Sequence, residues 1–552
     1  MEPVRVRRLG RVPYEEALSL QNAFARSLSD YILLLEHPAV ITLGRRADPA
    51  HVLDDASVRE VPVVATNRGG DVTLHAPGQA VAYAMITIDE DPRAFVAHVQ
   101  SLEDAAIEVV AALLDSTKVG GIGRLEGHPG VWVGIETERP AKICAVGVRT
   151  ERHGERRRTL HGIALNVDVD LSLFSAIVPC GITDRPVTSL AEQGSTASMG
   201  AVEDRLADAL VNQLAPGRPV ESASVRIVDE KGREAGSEEA MSLRRLRSAG
   251  VDPTEGLEIT TRKPEWLRVP VRLGESFSST KSVVADLGLV TVCEEAGCPN
   301  IFECWADGTA TFMVNGDRCT RACGFCLIDT RKPLALDASE PRRVAEAVER
   351  MGLAHAVVTC VARDDLADGG AAAIAETIRA IRERNPDTAV EVLISDLKGS
   401  AADLDLILEA RPDVLNHNLE TVARLQRAVR PSAGYARSLG VLARSAAAGL
   451  VTKSGIMLGL GETDDEAVTA LGDLAAVGAQ LVTIGQYLRP TKDHLPVARY
   501  AEPSVFEWLA EQGRALGLAH VQSSPLTRSS YHAREAADTA QPVAVTLGSR
   551  PA

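Results

Sequence analysis

Two kinds of hydrophobic pattern alternate through the second half of the chain. Residues 357–359 and 390–394 are short, mainly apolar segments rich in valine, which are typical of strands. Residues 341–351 and 371–384 instead repeat apolar positions at the spacing of an amphipathic helix. Strands that alternate with helices in this way predict parallel strands joined by crossover helices, and therefore an α/β fold for this half.

The first half shows more short apolar runs and fewer helical repeats. Residues 31–36 and 38–43 are separated by a His-Pro pair and predict two strands. Residues 143–148 and 161–166 predict two further strands, and residues 205–214 predict a helix. The two halves share no internal repeat, so we expect them to fold as different domains.

The region between the halves has the composition of a linker. Residues 229–239 are charged, contain glycine and lack bulky apolar side chains. A chain of 552 residues is also too long for one ordinary domain. We therefore predict a first domain over 1–220, a linker over 221–255, a second domain over 256–540 and a flexible tail over 541–552.

Composition narrows the classes of function. The chain is 45% apolar and 24% charged, as in soluble globular proteins, and its net charge of −16 argues against bulk nucleic-acid binding. We find no apolar run long enough to span a bilayer and no signal-peptide layout at the N-terminus. Six of the nine cysteines are clustered, which indicates metal binding or catalysis in a reducing compartment. We therefore expect a cytoplasmic protein.

The candidate chemistry of the second half begins with three closely spaced thiols. Cys319, Cys323 and Cys326 follow the apolar run 311–314, which predicts a loop at the C-terminal end of a strand. Active sites of α/β barrels collect at that end. Three thiolates can hold three irons of a [4Fe–4S] cube and leave the fourth iron open to a small molecule. A structural zinc site also uses closely spaced cysteines and remains the alternative for these residues alone.

A second triad, formed by Cys293, Cys298 and Cys304, precedes the first. Four residues separate its first two cysteines and five separate its last two. These intervals differ from those of short-interval zinc knuckles, and a second cluster is the simplest explanation. The first triad with its Phe325 resembles the cluster loop of radical S-adenosylmethionine (SAM) enzymes. Both triads together, with the segment 528–532, resemble the lipoyl synthases.

This resemblance implies a partial (β/α)₆ barrel, SAM as cofactor and two [4Fe–4S] clusters. In that family the cluster at Cys319, Cys323 and Cys326 cleaves SAM, and the radical so formed abstracts hydrogen from unactivated carbons. The auxiliary cluster, held by the second triad and by Ser530, gives up sulfur to C6 and C8 of an octanoyl chain. Arg528 is expected beside that cluster. The candidates for lining the cofactor or substrate pocket are Asp365, Asn418, Glu420 and Arg489, and the alternative for each of them is a structural role at the barrel mouth.

The first half carries its own set of motifs. A glycine-rich segment at 68–79 is followed by Lys142, by the sequence His-Gly-Ile-Ala-Leu-Asn at 161–166 and by Pro-Cys-Gly around Cys180. Together these resemble the octanoyltransferases of lipoate biosynthesis, which implies a biotin/lipoate-ligase-like α+β domain. In that family a cysteine takes the octanoyl group from acyl carrier protein and passes it to a lysine of a lipoyl domain.

The two proposed catalytic side chains have matching chemistry. A thiol is mostly protonated at neutral pH, and a nearby lysine ammonium lowers its pKa, so Lys142 beside Cys180 would supply a nucleophilic thiolate. Cys144 lies in a predicted strand and is assigned to the core. The resemblance also implies a set of substrate-binding residues, namely Arg68, Gly69, Gly70, Asp71, Val72, Thr73, Leu74, His75, Ala145, Val146, Gly147, Gly162, Ile163 and Ala164.

Five arginines between residues 149 and 158 surround a His-Gly pair, which predicts a charged hairpin tip. Such tips are usually only solvated, and the alternative is a docking site for acidic acyl carrier protein.

Taken together, the resemblances predict a bifunctional enzyme, an acyltransferase joined to a sulfurtransferase. Expected partners are octanoyl-acyl carrier protein, the lipoyl domains of 2-oxoacid dehydrogenase complexes, the glycine cleavage H protein and a ferredoxin- or flavodoxin-type reductant. We expect no nucleic-acid and no membrane partner. The alternative is an ATP-dependent lipoate ligase fused to an iron–sulfur electron-transfer or regulatory protein.

Overall fold

The structure is a computed structural model and describes residues 2–53, 60–179, 185–225, 241–268, 275–306, 310–530 and 533. It divides into two compact units, Met1–Arg226 and Ile227–Ala552.

The first unit contains twelve strands among its described residues: β1 (Val4–Arg11), β2 (Asp30–Glu36), β3 (Val40–Leu43), β4 (Val63–Ala65), β5 (Val72–His75), β6 (Gln79–Met85), β7 (Thr87–Ile88), β8 (Ile122–Leu125), β9 (His128–Val133), β10 (Ala141–His153), β11 (Arg156–Asn166) and β12 (Val220–Ser224). Its α-helices are α1 (Tyr14–Arg26), α2 (Pro92–Leu113) and α3 (Met199–Leu214).

Most of these strands form one mixed sheet with the order β12-β1-β2-β6-β11-β10-β9-β8, and β7 pairs with β11. Side chains on the two faces of the sheet alternate along each strand. Ile32 and Leu34 of β2 join the core cluster that includes α2 and α3, whereas Tyr31 stacks on Phe24 of α1 with ring centroids 4.1 Å apart. The sheet is therefore covered by helices on both faces.

A second, small sheet has the order β4-β3-β5. The runs at 31–36 and 38–43 were predicted as two strands, and the structure confirms both while placing β2 in the large sheet and β3 in the small one. The strand β5 holds part of the glycine-rich segment and pairs antiparallel with β3.

The second unit alternates strands and helices, as its hydrophobic pattern predicted. Its strands are β13 (Val290–Thr291), β14 (Thr311–Val314), β15 (His355–Cys360), β16 (Ala389–Leu393), β17 (Val414–Asn416), β18 (Val451–Leu458), β19 (Leu481–Gln486) and β20 (His520–Ser523). Its helices are α4 (Met241–Ser248), α5 (Glu275–Asp286), α6 (Val292–Glu295), α7 (Ile301–Ala306), α8 (Glu340–Met351), α9 (Ala371–Arg384), α10 (Ala401–Glu409), α11 (Gln426–Val429), α12 (Tyr435–Ala447), α13 (Asp464–Ala476) and α14 (Pro503–Ala515).

These eight strands lie side by side in chain order from β13 to β20. All neighbouring pairs from β14 onward are parallel, and β13 pairs antiparallel with β14. The outer faces of β14, β15 and β16 pack against α8, α9 and α10 in one hydrophobic cluster. The arrangement agrees with the predicted partial barrel, and it collects the C-terminal ends of the parallel strands along one edge.

The structure corrects the predicted domain limits at two points. The boundary at residue 220 falls inside β12, and Glu221–Ser224 pair with β1, so they belong to the first sheet and not to a linker. The helix α4, also inside the predicted linker, contacts α11 of the second unit. The linker stretch 229–239 and the tail 541–552 lie outside the described residues. Among the helices of the described part of the chain, none is long and apolar enough to cross a membrane.

Candidate functional site

The first cysteine triad lies on the loop that follows β14, where the sequence predicted it. The loop is fixed to neighbouring segments by backbone hydrogen bonds. The amide of Cys319 donates to the carbonyl of Asp329 at 2.8 Å, and the amide of Thr320 donates to the carbonyl of Ala362 at 3.0 Å. The position of Cys319 is therefore set by the end of β15 as well as by its own strand.

Gly324 fits this loop because of the space around it. A Cβ atom on Gly324 would lie 2.7 Å from the side chain of Leu495, closer than real Cβ contacts allow. The amide of Gly324 also donates to the carbonyl of Val429 at 2.8 Å. Close packing against Leu495 therefore favours glycine at this position of the loop.

The second triad is carried by two short helices and the turn between them. Cys293 belongs to α6, Cys304 belongs to α7, and the amide of Cys298 donates to the carbonyl of Cys293 at 3.0 Å. These three thiols line a small cavity together with Arg528 and Ser530. The structure thus brings Ser530 to the second triad from more than 200 residues further along the chain.

Both triads face one larger cavity of about 710 Å³ inside the second unit. Its lining includes all three thiols of the first triad, Cys293 and Cys298 of the second, and Ser530, while Cys304 lines the small adjoining cavity. The volume is within the range of small-molecule and cofactor sites.

Three of the four polar residues predicted at the barrel mouth line this cavity, namely Asn418, Glu420 and Arg489. The fourth candidate, Asp365, agrees instead with the structural alternative. Its carboxylate pairs with the guanidinium of Arg363 through two hydrogen bonds of 2.9 Å and does not line the cavity.

The thiols are held in a setting that disfavours free thiolates. Burial raises the pKa of Cys323 to about 11 and that of Cys326 to about 12. Burial also raises the pKa of Cys293 and Cys298. Such thiols are neutral at pH 7 until a metal replaces their protons, because only the thiolate is a ligand.

The donor set fits iron–sulfur clusters. Among the described residues, no three His, Cys, Asp or Glu side chains converge on one point in the way a single metal ion requires. A cube does not need such convergence, because each thiolate binds a different iron. Two triads of cysteines on the walls of these two adjoining cavities are therefore compatible with two cubes.

A buried polar layer lies in the barrel strands below the residues that line the cavity. The ammonium of Lys453 lies 2.9 Å from Oε1 of Glu391, and both side chains are fully buried. Asn416 donates to the same carboxylate oxygen at 3.1 Å, and Nε2 of His355 lies 3.5 Å from the other. Burial alone would raise the pKa of Glu391, but Lys453 and His355 hold it below its usual value.

In the first unit, Lys142 is buried on β10, with its ammonium 4.9 Å from the ring centroid of Trp132. Its backbone pairs with the chain that follows Cys180: the Lys142 amide donates to Pro186, and the Thr188 amide donates to Lys142, both at 2.9 Å. Cys180 itself lies outside the described residues.

The chain before Cys180 is also fixed. The amide of Val178 donates to the carbonyl of His51 at 2.8 Å, and the imidazole of His51 lies 2.6 Å from the carboxylate of Asp71. The two flanks of Cys180 therefore run beside Lys142 on one side and beside the predicted Asp71 on the other.

The structure brings the predicted substrate-binding residues together. Six of them form three cross-strand pairs on β10 and β11: Ala145–Ala164, Val146–Ile163 and Gly147–Gly162. A Cβ atom on Gly69 would lie 2.8 Å from the carbonyl of Val148, so the glycine-rich segment packs directly on β10. Arg68 is buried and donates to the carbonyl of Thr42 at 2.6 Å.

His75 and His161 are buried, and burial disfavours the charged form of both imidazoles. Burial lowers the pKa of His75, and burial lowers the pKa of His161 to about 3. His75 pairs with Gln79 at 3.2 Å, and the ring of His161 lies 3.1 Å from the amide oxygen of Asn67. Both imidazoles are therefore neutral at pH 7, and their lowered pKa makes them weak proton acceptors.

The arginines at the predicted hairpin tip are mostly engaged within the unit. The β10–β11 hairpin is confirmed. Arg158 is fully buried and pairs with Asp30, so it is not part of a docking surface. Arg149 pairs with Glu151, and Arg152, which is 67% exposed, pairs with Glu90.

Sequence reasoning missed two buried arginines on the cavity wall, Arg321 and Arg430. Arg430 donates to the carbonyls of Asn418 and Leu419 at 2.9 and 3.2 Å and so fixes the segment that carries Glu420. Arg321 lies between two cysteines of the first triad. This position in the sequence could have identified it as a residue of the site.

Three protein-family models match the chain. The lipoyl protein ligase A/B catalytic domain matches residues 13–211, the N-terminal domain of lipoyl synthase matches 251–298, and the radical SAM superfamily matches 313–474. The lipoyl synthases of Mycobacterium tuberculosis and Mycobacterium avium are each 55% identical over 272 residues. These residues are 49% of this chain and 88% or 89% of those proteins.

Among solved structures, a bi-partite lipoate protein ligase from Thermoplasma acidophilum matches with 16% identity and a TM-score of 0.33, covering 40% of this chain and 88% of that one.

The lipoyl synthase family uses SAM and [4Fe–4S] clusters. The two families act on lipoyl domain proteins and octanoyl carriers. The second half of this chain therefore belongs to the lipoyl synthase family of radical SAM enzymes, and its first half carries a lipoyl protein ligase A/B catalytic domain.

Proposed function

We propose that this chain carries out two consecutive steps of lipoate assembly on one protein substrate. The first half transfers an octanoyl group from acyl carrier protein to a lysine of a lipoyl domain. The second half then inserts sulfur at C6 and C8 of that group. The observation that carries the proposal is the larger cavity, whose wall holds the first triad, two cysteines of the second and Ser530, while the third cysteine of the second triad lines the small cavity that adjoins it.

In the first half we assign Cys180 as the nucleophile and Lys142 as its partner. The Cys180 thiolate attacks the thioester carbonyl of the octanoyl carrier, and the carrier thiol leaves with a proton supplied through Lys142. The lysine amine of the lipoyl domain then attacks the enzyme thioester, loses its proton to Lys142 and releases Cys180. The backbone pairing of Lys142 with Pro186 and Thr188 supports this assignment, because it fixes the chain that follows Cys180 beside the lysine.

The substrate-binding residues would shape the acyl site around this pair. The cross-strand pairs on β10 and β11 start two residues from Lys142, and the glycine-rich segment packs on the same strands. Because glycine has no Cβ atom, the backbone of neighbouring segments can approach closely at Gly69, Gly147 and Gly162.

In the second half we assign the first triad to the SAM-cleaving cluster and the second triad, with Ser530, to the auxiliary cluster. When bound, the two clusters and SAM supply the hydrogen abstraction and the sulfur atoms that side chains cannot provide. The protein's own residues hold these groups and orient the substrate. Asn418, Glu420 and Arg489 offer polar contacts on the cavity wall, and Arg528 lines the small cavity together with Cys298.

A hydroxyl ligand at Ser530 suits a cluster that is consumed, because an alcohol oxygen is a harder and weaker ligand for iron than a thiolate. Changing Ser530 to alanine should leave SAM cleavage intact and stop or slow sulfur insertion. The neighbouring Ser529→Ala variant is the matched control and should keep both activities.

The finer partners are part of the proposal. We expect the lipoyl domains of 2-oxoacid dehydrogenase complexes and the glycine cleavage H protein as acceptors, and a ferredoxin- or flavodoxin-type protein as electron donor. Six clustered thiols suit a reducing compartment, so we place both steps in the cytoplasm.

The test combines anaerobically reconstituted full-length protein with octanoyl-acyl carrier protein, apo lipoyl domain, SAM and reductant. Mass spectrometry of the lipoyl domain then reports octanoyl transfer and sulfur insertion separately. We expect Cys180→Ser to abolish transfer while sulfur insertion into a pre-octanoylated domain continues. The control is Cys144→Ala, because Cys144 is fully buried in β10 and should not affect transfer.

Retained transfer in the Cys180→Ser variant would contradict the thioester route. A requirement for ATP would point instead to ligase chemistry in the first half. Protein that binds clusters but never cleaves SAM would point to an electron-transfer or regulatory role for the second half.

A further inference from the structure

Arg321 connects the first cysteine triad to two carboxylates. It lies between Cys319 and Cys323, and its side chain is only 5% exposed. Its Nε and Nη2 atoms donate to the two carboxylate oxygens of Asp364 at 2.8 and 2.9 Å, and Nη2 also lies 2.6 Å from Asp396. Its backbone amide points to the Cys319 sulfur at 3.4 Å.

Both aspartates also make a hydrogen bond that does not involve the arginine, Asp364 through its backbone and Asp396 through its carboxylate. The Asp364 amide donates to the hydroxyl of Thr320 at 3.0 Å, within the cysteine loop. Asp396 is fully buried after β16 and accepts a hydrogen bond from the amide of Lys398 at 3.1 Å. Arg321 therefore ties the loop after β14 to the C-terminal ends of the next two strands, β15 and β16.

Arg321 is the cation that contacts both carboxylates. A second cation, Arg437, lies 3.6 Å from Asp396, and the ammonium of Lys398 contacts the backbone carbonyl of Asp364. Replacing Arg321 by a neutral residue would remove the ion-pair partner of the half-buried Asp364 carboxylate and would leave the fully buried Asp396 carboxylate with Arg437. Reduction adds an electron to a cluster, and nearby negative charge lowers a cluster's reduction potential.

We propose that Arg321, Asp364 and Asp396 form a positioning group, the Arg321 clamp, that holds Cys319 in place and sets the reduction potential of the SAM-cleaving cluster. The clamp rests on the proposed assignment of Cys319, Cys323 and Cys326 to that cluster. Arg321 acts in two ways. Its amide fixes the Cys319 sulfur, and its guanidinium balances the carboxylates whose charge would otherwise oppose reduction.

The test is a reductive titration of the reconstituted full chain, followed by electron paramagnetic resonance. The SAM-cleaving cluster is recognised as the signal that changes when SAM is added. We expect Arg321→Gln to shift its potential to more negative values, and Asp364→Asn to shift it to more positive values. The double variant should return towards the wild-type potential, because one positive and one negative charge are removed together.

Two controls separate this effect from general damage. The potential of the auxiliary cluster should stay constant in all three variants. Arg363→Gln removes another buried arginine that pairs with a neighbouring aspartate, but Arg363 contacts Asn315, Leu334 and Asp365 instead of the cysteine loop. Both clusters should keep their potentials in that variant.

Arg321→Lys covers the case in which Arg321→Gln fails to retain iron. Lysine restores the charge but not the two hydrogen bonds to Asp364. The Arg321→Lys variant should therefore have a potential close to that of the wild type, while its cluster is retained less firmly. Asp364→Asn keeps a hydrogen-bond acceptor for Arg321, and we expect it to retain both clusters.

The clamp is overturned if Asp364→Asn leaves the potential unchanged, if the two single variants shift it in the same direction, or if both clusters shift equally. Failure of the proposed function would give a different result. The wild-type protein itself would then lack SAM cleavage, or would bind only about four irons per chain.

Discussion

The two cysteine triads share one cavity but have opposite surroundings. The first triad sits on a loop bonded to strand ends, and its arginine, Arg321, is matched by two carboxylates. The second triad sits on the short helices α6 and α7, and its arginine, Arg528, donates to the carbonyl of Thr527. Among the described residues, no carboxylate lies within ion-pair distance of Arg528.

This difference fits two different fates for the clusters. A cluster that is reduced in every turnover needs a fixed geometry and a balanced charge, and the first triad has both. A cluster that gives up sulfur must lose protein ligands during the reaction. This is easier when one ligand, here Ser530, comes from a segment separate from the three cysteines. Burial lowers the pKa of Arg528, and only the nearby Cys298 opposes that effect. A cation in this setting would favour a bound, negatively charged cluster.

The largest effect should come from removing one thiol from either triad. Each of Cys323→Ala and Cys298→Ala should cost about four irons per chain, because a cube that loses a cysteine is poorly held. Cys323→Ala should abolish SAM cleavage, whereas Cys298→Ala should leave cleavage and stop sulfur insertion. Iron analysis and detection of cleaved SAM measure the two effects. Equal loss of cleavage in both variants would erase the proposed distinction between the triads.

The next effect concerns the buried polar layer in the barrel strands. Lys453→Met would leave the Glu391 carboxylate buried without its cation, which costs about 3–5 kcal/mol of folding free energy. Calorimetry should show the transition of the second unit lowered by roughly 10 °C.

Changing both residues, as in Lys453→Met with Glu391→Leu, should recover much of that stability, because no unpaired charge remains. A single variant with an unchanged transition would show that Glu391 and Lys453 contribute little to the barrel that supports the first triad.

A smaller effect is expected at Arg528. Arg528→Gln should reduce retention of the auxiliary cluster by about 10–100-fold, which is the usual cost of losing a residue next to metal ligands. Arg528→Lys keeps the charge and should lose less. The spectroscopic signal of the SAM-cleaving cluster serves as the internal reference. If that signal falls in parallel, Arg528 supports the cavity as a whole and not one triad.

The smallest effect should come from Asn300, whose side-chain amide donates to the carbonyl of Leu526 at 2.8 Å. This bond ties the second triad to the segment that carries Arg528 and Ser530. Asn300→Ala leaves the carbonyl unpaired at a cost of about 1–3 kcal/mol, and hydrogen exchange should increase around residues 526–530.

The matched control is Asn385→Ala, which removes a similar bond to the carbonyl of Ala345 on the outer helices. It should leave auxiliary iron and exchange around 526–530 unchanged. Identical behaviour of the two variants would mean that the Asn300 bond has no special bearing on the second triad.

Local pattern predicted the elements of the fold well. The helix predicted over 371–384 is α9 at the same limits, and the apolar run before the first triad is β14. These predictions succeed because the hydrophobic periodicity of a helix or a buried strand is set by residues that are close together in the sequence. Predictions about charged residues were weaker. Asp365 was a candidate for the cavity but pairs with Arg363, and Arg158 was expected at an exposed tip but is buried against Asp30.

The sequence alone determined the number, spacing and order of the thiols, and with them the chemistry that each triad can support. Only the tertiary structure decided which charges surround them. Arg321 meets Asp364 across 43 residues, and Asn300 meets Leu526 across 226. Spacing along the chain sets local geometry, whereas the ion pairs and cavity walls depend on which strand ends the fold brings together.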